Sequence, residues 1–416
     1  MRSLRGAPNR PTIATVTWTI TRLGLEIAKG VSDYARERDW NVLRLDNRAA
    51  LSVAALRKAN VRGFVLQAFM DSPIRTLLGL GLPVVNTSNS RLNSALPRVV
   101  SDDNAVGRLA ADYFMGKGFR NFAFCGSPRS GASLLRERGF VERLKEKGHQ
   151  ASLIRGEFEL GSAYFAESTG DELVGWLARL RRPCAIFTWN DGICDTIANF
   201  CHQKGWKIPQ EISQLGVNNG FERLVDEDMD SISSIELAGH AIGYQAAQVL
   251  GRMMAGGAKP TEPICLPPLR IVERRSTDFF AVPDPTVLAA LRFIRQNCQR
   301  PIGVDDIAGA AMLSRRILEK RFRALLQISP YDDLMRCRLA RSKELLLNTN
   351  LKLEEIAHLC GYENGSNFST FFRQKAGCSP SLFRLRRSPR SELPDNSTPG
   401  GEPALQQGQH AAPLAG

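Results

Sequence analysis

The sequence predicts an α/β region of two lobes over residues 12–276, followed by an all-α domain with two helix-turn-helix units over residues 286–387. Three observations lead there. Between residues 12 and 276 short apolar runs alternate with stretches of helical spacing, the pattern that gives parallel sheets covered by helices on both faces. Past Pro285 the strand signals stop, and a helical segment repeats itself at a period of about 50 residues. Positive charge is concentrated in that segment: residues 284–390 hold 19 Lys and Arg against 10 Asp and Glu, and the rest of the chain holds 36 against 32.

In order, residues 13–18, 61–67, 84–88, 121–126, 185–189 and 213–217 are short, apolar and bounded by turns, and read as buried strands. Helical spacing falls on 23–38, 105–116, 134–147, 171–180, 193–204 and 238–254. Such a region is long for one core, so two lobes are expected. In open parallel sheets a ligand sits beyond the carboxyl ends of the strands. Just there stand Trp18 after the first strand, Asp102-Asp103-Asn104 after 98–101, Asn190-Asp191 after a strand ending in Trp189, and Asn218-Asn219 after 215–217. Carboxylates, amides and guanidinium groups are planar, multidentate partners for adjacent hydroxyls, so the set suits a sugar. The competing reading is ordinary loop polarity with tryptophans in the core.

With 43% hydrophobic and 23% charged residues the chain has a globular balance. No apolar run approaches the roughly 18–20 residues that cross a bilayer, and residues 1–25 show no signal pattern. Nine cysteines without a CxxC pair argue against a zinc ribbon and a disulfide framework. A reduced, cytoplasmic setting without membrane contact is the expectation. No P-loop, no GxGxxG after the first strand, no GxSxG and no histidine pair at metal-ligand spacing is present, so neither cofactor, metal nor catalytic residue is expected. Asp103, Asp191 and Arg136 as the cluster of a sugar-modifying enzyme is the alternative from another class. A freestanding solute-binding protein is a further one, against which the fused basic repeat counts.

Residues 277–285 (TDFFAVPDP) mark a boundary with two prolines and read as a linker; 1–11 and the Pro-, Gly-, Ser- and Gln-rich 388–416 read as tails, the latter disordered. Beyond the linker, Val287, Leu291, Ile294 and Cys298 share one helix face. In the repeat, Ala308 matches Ala357, Leu318 matches Phe368, Phe322-Arg323 matches Phe372-Arg373, and Ser329-Pro330 matches Ser379-Pro380. Each copy reads as helix, tight turn and second helix, the plan whose second helix enters the DNA major groove. Ser314 is a favourable N-cap for the first such helix, and Gly361 a stop signal ahead of the second. Between the copies, 331–348 forms a helix of roughly 27 Å, close to the ~34 Å between major grooves on one side of a duplex. Its Arg336, Arg338, Arg341 and Lys343 suit phosphate contacts.

The string IA…CGY…FSTFFR…SP…FR over about 284–387 resembles the DNA-binding domain of the AraC/XylS family. The stretch before it, PPLRIVERRSTDFFAVPDPTVLAALRFIRQNC, resembles the junction to a LacI-type, periplasmic-binding-protein-like (type I) sugar sensor. The resemblance implies base contacts from Arg316, Glu319 and Lys320 in the first copy and from Ser366, Asn367 and Thr370 in the second, with Ser314, Arg315, Arg341 and Arg373 beside them. Arg136 opens the string Arg-Glu-Arg-Gly-Phe, similar to the sugar-contacting arginine motif of such sensors. The resemblance then implies Asp103, Arg136, Asp191 and Asn218 as sugar contacts, with Trp18 or Trp189 stacking. It also implies D-xylose or a related pentose as effector, operator DNA and RNA polymerase as partners, activation of sugar-catabolism genes, and a homodimer. Two departures stand out: Met312 occupies a turn where many such units carry Gly, and Asn218 stands where relatives often carry Asp.

Overall fold

The computed structural model describes residues 10–19, 21–46, 56, 58–67, 77, 79–90, 96–158, 167–220 and 232–386. Both terminal tails beyond these bounds, including 388–416, lie outside the described residues.

The first lobe opens with β1 (Thr12–Thr17), α1 (Arg22–Glu37), β2 (Asn41–Asp46), β3 (Val61–Leu66), β4 (Val84–Asn86) and β5 (Val99–Ser101). Its sheet has the order β2-β1-β3-β4, all parallel. Val65, Val85 and Ile13 are buried on one face, Val16, Phe64 and Leu66 on the other, as expected of a sheet covered twice. The second lobe holds α2 (Asp103–Gly116), β6 (Asn121–Gly126), α3 (Gly131–Glu146), β7 (Ala151–Arg155) and α4 (Glu167–Arg179). It continues with β8 (Cys184–Thr188), α5 (Asp191–Lys204), β9 (Ile212–Val217) and β10 (Ser233–Glu236). Then α6 (Gly239–Met254) returns to pack in the core of the first lobe, and β11 (Ile264–Leu266) pairs with β5. Finally β12 (Arg270–Val272) joins the second sheet antiparallel to β10, giving the order β12-β10-β9-β8-β6-β7. The chain thus passes between the lobes three times, at residues 101–103, 236–239 and 266–270.

Strand ends lead straight into helix caps, which aims helix N-termini at the space between the lobes. Thr21 accepts from Gly24 N (3.1 Å), Asp102 from Ala105 N (2.9 Å) and Asn190 from Ile193 N (3.0 Å). In each lobe one helix pair crosses on reciprocal glycines. A Cβ on Gly30 of α1 would lie 2.0 Å from the His240 carbonyl, and one on Gly243 of α6 2.0 Å from that of Ile27. In the second lobe, Gly107 would meet the Arg136 carbonyl at 2.0 Å, and Gly139 that of Asn104 at 2.1 Å. Any larger residue at these positions would push the helices apart.

The third body is helical: α7 (Pro285–Asn297), α8 (Val304–Ala310), α9 (Arg315–Leu326), α10 (Pro330–Asn348), α11 (Leu353–Leu359), α12 (Gly365–Ala376) and α13 (Pro380–Arg384). The sequence repeat is a repeat of hydrogen bonds. Leu313 N donates to Ala308 O and Met312 N to Gly309 O (both 3.0 Å); Tyr362 N donates to Ala357 O and Gly361 N to His358 O (both 3.0 Å). Both turn residues are left-handed, Met312 at φ 52° and Gly361 at φ 76°. Methionine therefore keeps the turn that glycine makes in the other copy, against the steric preference of its Cβ. That strain is worth about 1–2 kcal/mol and is partly offset by the freer unfolded chain of a glycine, about 0.4–1 kcal/mol. Met312→Gly is expected to stabilise the domain by about 0.5 kcal/mol in chemical denaturation; a loss of stability would show that the methionine side chain holds the turn.

The boundary segment is packed rather than free. Phe279 and Ala281 pack on the second lobe, Phe280 and Val282 on the first helix-turn-helix unit, and Ala281 N donates to Lys117 O (2.8 Å). Lys117 is buried; its ammonium donates to Thr277 O (2.7 Å) and lies 5.0 Å from the Phe280 ring, which Arg295 approaches at 5.9 Å. The second unit docks elsewhere. Leu346, Leu347, Ile356, Phe368 and Phe372 share one core with Ala238 and Leu269, which lie in the second and third passages between the lobes.

Candidate functional site

Among the six residues singled out for a sugar, the structure joins Asp103 and Arg136 most closely. Arg136 Nε donates to Asp103 Oδ1 (2.7 Å) with both side chains buried, and its guanidinium also donates to the Trp189 carbonyl. The second carboxylate oxygen accepts from Asn89 Nδ2 (2.8 Å), and Arg98 Nη1 donates to Asn89 Oδ1 (3.3 Å). Asn89 belongs to the first lobe and Arg136 to the second, so this network spans the gap between them. A backbone bond from Gly131 N to Ser90 O (3.1 Å) crosses nearby. A buried ion pair completed by further hydrogen bonds holds its groups in fixed orientation.

The other four are placed differently. Asp191 holds a turn: Oδ1 accepts from Ser234 Oγ (2.6 Å) and Oδ2 from Gly220 N (3.0 Å). Trp18 is half-buried, its backbone N donating to Gln67 Oε1 (3.0 Å). The Trp189 ring is half-buried against the cores on both faces of the second sheet. Asn218 has a left-handed φ of 103° and lines a cavity that none of the other five lines. Asn89 escaped the sequence reading although it follows the 84–88 run directly, the location where strand-end chemistry is expected.

On the helical domain, α9 presents Ser314, Arg315, Arg316 and Lys320 to solvent, and α12 presents Ser366, Asn367, Thr370 and Arg373. Their opposite faces are the core, with Leu318, Phe322, Phe368 and Phe372 fully buried. Glu319 is half-buried and accepts from Arg315 Nε (3.1 Å); Arg315 also pairs with Asp305 (3.5 Å). Asn364 caps α12 by accepting from Asn367 N (2.9 Å), and Glu354 of α11 accepts from Gly365 N (3.0 Å), fixing that helix against its partner.

The spacer helix α10 corrects part of the sequence reading. Arg338 is buried and donates to the carbonyls of Cys298 (3.1 Å), Arg300 (2.8 Å) and Ile302 (3.3 Å), so it ties α10 to the end of α7 instead of facing a phosphate. Lys343 lies 5.5 Å from the Phe383 ring, and burial followed by repulsion from Arg386 pushes its pKa down to about 8. Arg336 abuts Gly116 of the second lobe. Arg341 Nε donates to Leu359 O (2.7 Å) at the end of α11. Charge alone did not separate Arg338 and Arg341 from solvent-facing groups, because their carbonyl partners belong to elements distant in the chain.

A periplasmic-binding-protein-like domain matches residues 111–277 and a helix-turn-helix domain residues 307–386. The xylose operon regulatory protein of Escherichia coli K12 is 27% identical over 371 residues, spanning 86% of this chain and 93% of its own length. That of Haemophilus influenzae is 25% identical over 370 residues, spanning 86% and 94%. The solved structure of the xylose-binding transcription activator xylR shares the fold over 91% of this chain and 99% of its own, with a TM-score of 0.57 at 24% identity. The chain thus carries a periplasmic-binding-protein-like domain ahead of an AraC-type helix-turn-helix domain, and is homologous to the Escherichia coli xylose operon regulatory protein.

Proposed function

We propose that the chain is a sugar-responsive transcription regulator whose effector is a monosaccharide, D-xylose or a related pentose, bound between the two lobes. The observation that carries this reading is the Arg98–Asn89–Asp103–Arg136 network, a set of amide, carboxylate and guanidinium groups joining the lobes at the strand ends. Asp103 and Arg136 are the proposed sugar contacts in that network. Asp191 fixes the turn that carries Asn218, and Trp18 and Trp189 are the proposed stacking faces. The named effector of the xylose regulators supports the pentose.

The sugar shifts the molecule only by its different affinity for the open and closed lobes. Closure turns about the three passages at 101–103, 236–239 and 266–270. The first helix-turn-helix unit docks on the second lobe and the second unit on the passages themselves, so closure changes how the two recognition helices lie relative to each other. In this reading Arg316, Lys320, Asn367 and Thr370 meet base edges, and Ser314, Arg315, Glu319, Ser366 and Arg373 complete the two DNA faces, with Arg341 near the backbone. The regulator acts as a homodimer on paired half-sites, contacts RNA polymerase, and activates catabolic genes in the cytoplasm.

A thermal-shift panel of pentoses and hexoses tests the effector: at 100 times its Kd the right sugar adds about 2.7 kcal/mol of stability. A response to hexoses alone would remove the pentose, and no response to any sugar of the panel would remove the sugar reading. DNA is tested by gel shift. With six or more phosphate contacts, affinity is expected to fall about 1000-fold between 50 and 200 mM salt. Lys320→Ala and Asn367→Ala should each relax preference at one base pair by about 1–3 kcal/mol; equal weakening on all sequences would reassign them to backbone contacts.

A further inference from the structure

We infer that Cys298 and Cys337 are a redox modification site, a thiol pair that an oxidant converts reversibly into a disulfide stapling the first helix-turn-helix unit. This goes beyond the sugar reading and does not depend on it. The nine cysteines are unbridged, and these two meet with their Sγ atoms 2.7 Å apart. A disulfide is about 2.0 Å long, so a movement of under about 1 Å closes the bond. Cys298 stands at the end of α7 and Cys337 within α10, 39 positions further on. The loop between them contains all of α8 and α9. Both cysteines belong to the core in which Leu318 and Phe322 anchor α9, while Arg316 and Lys320 stay exposed. The bond therefore forms behind the recognition helix and leaves its outer face free.

The surroundings prepare one sulfur as the nucleophile. Cys337 donates its S–H to Cys298, and the guanidinium groups of Arg295 and Arg341 favour a negative charge there. Together these outweigh burial and hold the Cys298 thiol below its ordinary range. The thiolate is the reacting form. Burial pushes the thiols of Cys125, Cys184, Cys194 and Cys201 up, which keeps them inert. Cys298 is 4% exposed, but it ends a helix beside the exposed Arg300, where fraying admits a small oxidant. With hydrogen peroxide, the Cys298 thiolate takes one peroxide oxygen, the O–O bond breaks and hydroxide leaves, giving a sulfenic acid. The Cys337 sulfur attacks that sulfur; the S–S bond forms, the S–O bond breaks, and the Cys337 proton leaves with the oxygen as water. The proton first lost by Cys298 neutralises the hydroxide, so two thiols and one peroxide give one disulfide and two waters. A low-molecular-weight thiol returns both sulfurs to their reduced form.

The test treats the reduced full chain with hydrogen peroxide, then maps its cysteines by alkylation and peptide mass. Two of the nine thiols should disappear, and one peptide pair should be joined through Cys298 and Cys337. Because the bond closes a long loop in the unfolded chain, the unfolding midpoint of the helical domain should rise by about 10 °C. Dithiothreitol should reverse every change. Cys337→Ser should stop at a sulfenic acid on Cys298, trapped by dimedone, and Cys298→Ser should give neither cross-link nor stabilisation. Cys265→Ser, which removes the exposed cysteine, should behave as the parent chain does. Each variant is compared with itself before and after oxidation, so a change in its basal stability does not hide the result. Both thiols still open to alkylation once Cys265 has been oxidised, a bond from Cys337 to Cys360 instead, oxidation that dithiothreitol does not reverse, or an unmoved midpoint would each overturn the staple.

Discussion

Arg136→Ala is expected to leave Asp103 as an unpaired carboxylate inside the protein, and the chain then loses about 3–5 kcal/mol of stability together with its sugar response. The size follows from burial: the two side chains are 5% and 2% exposed, so water does not replace the lost partner. The carbonyl of Trp189 and the amide of Asn89 lose their fixed geometry as well. Urea denaturation measures the first effect and the sugar-induced thermal shift the second. Structural and functional losses separate in the double variant Asp103→Asn, Arg136→Met. With both charges gone, most of the stability should return, because breaking a buried pair costs more than deleting it. Sugar binding should stay absent. A single variant that still answers to sugar would exclude Arg136 from the site, whatever its stability.

What made this arrangement legible in the sequence was burial on both faces. The strands β1, β3, β8 and β9 are runs of apolar residues because helices cover each side of their sheets, and their bounds agree with the sequence reading to within a residue or so. The strands that went unread have other surroundings. β2 and β7 are sheet edges, and β7 exposes Ser152, Leu153 and Arg155, so no continuous apolar run appears. β10 is Ser-Ser-Ile-Glu, polar in letters yet fully inside: Ser233 Oγ donates to Arg274 O (3.0 Å) and Ser234 Oγ to Asp191. Its polarity is satisfied by residues 41–43 positions away, which no local pattern reveals.

The same limit explains the functional residues. Asp103 and Arg136 were identified one at a time, as a strand-end carboxylate and a motif arginine; that they pair with each other, and through Asn89 with the other lobe, depends on how the lobes face one another. The duplicated units were visible in their helices and turns, which are local; Ser314 stands at the N-cap of α9 without a side-chain capping bond, and α12 is capped by Asn364, which the sequence pattern did not single out. The docking of the units was not visible. Arg336 and Arg338 read as phosphate contacts until the surfaces they meet are known.

That asymmetric docking sets up the second large effect. Phe372 is fully buried, 5.9 Å from the ring of Phe368 and 5.3 Å from that of Phe383. Phe372→Ala should cost about 3–5 kcal/mol, most of the stability a small helical unit possesses. Phe322→Ala, equally buried in the first unit, should cost as much. Each variant should lose binding to a full operator, since one recognition helix no longer has a scaffold. They should differ at the hinge. The core around Phe372 includes Ala238 and Leu269, whereas the core around Phe322 is built from α7 to α10 and Val282. Hydrogen exchange on the full chain should therefore speed up at residues 236–240 and 266–270 in Phe372→Ala and remain protected there in Phe322→Ala. Equal protection in both would mean that the second unit rests on the lobes without bracing them, and that closure of the sensor reaches DNA by some route other than the hinge.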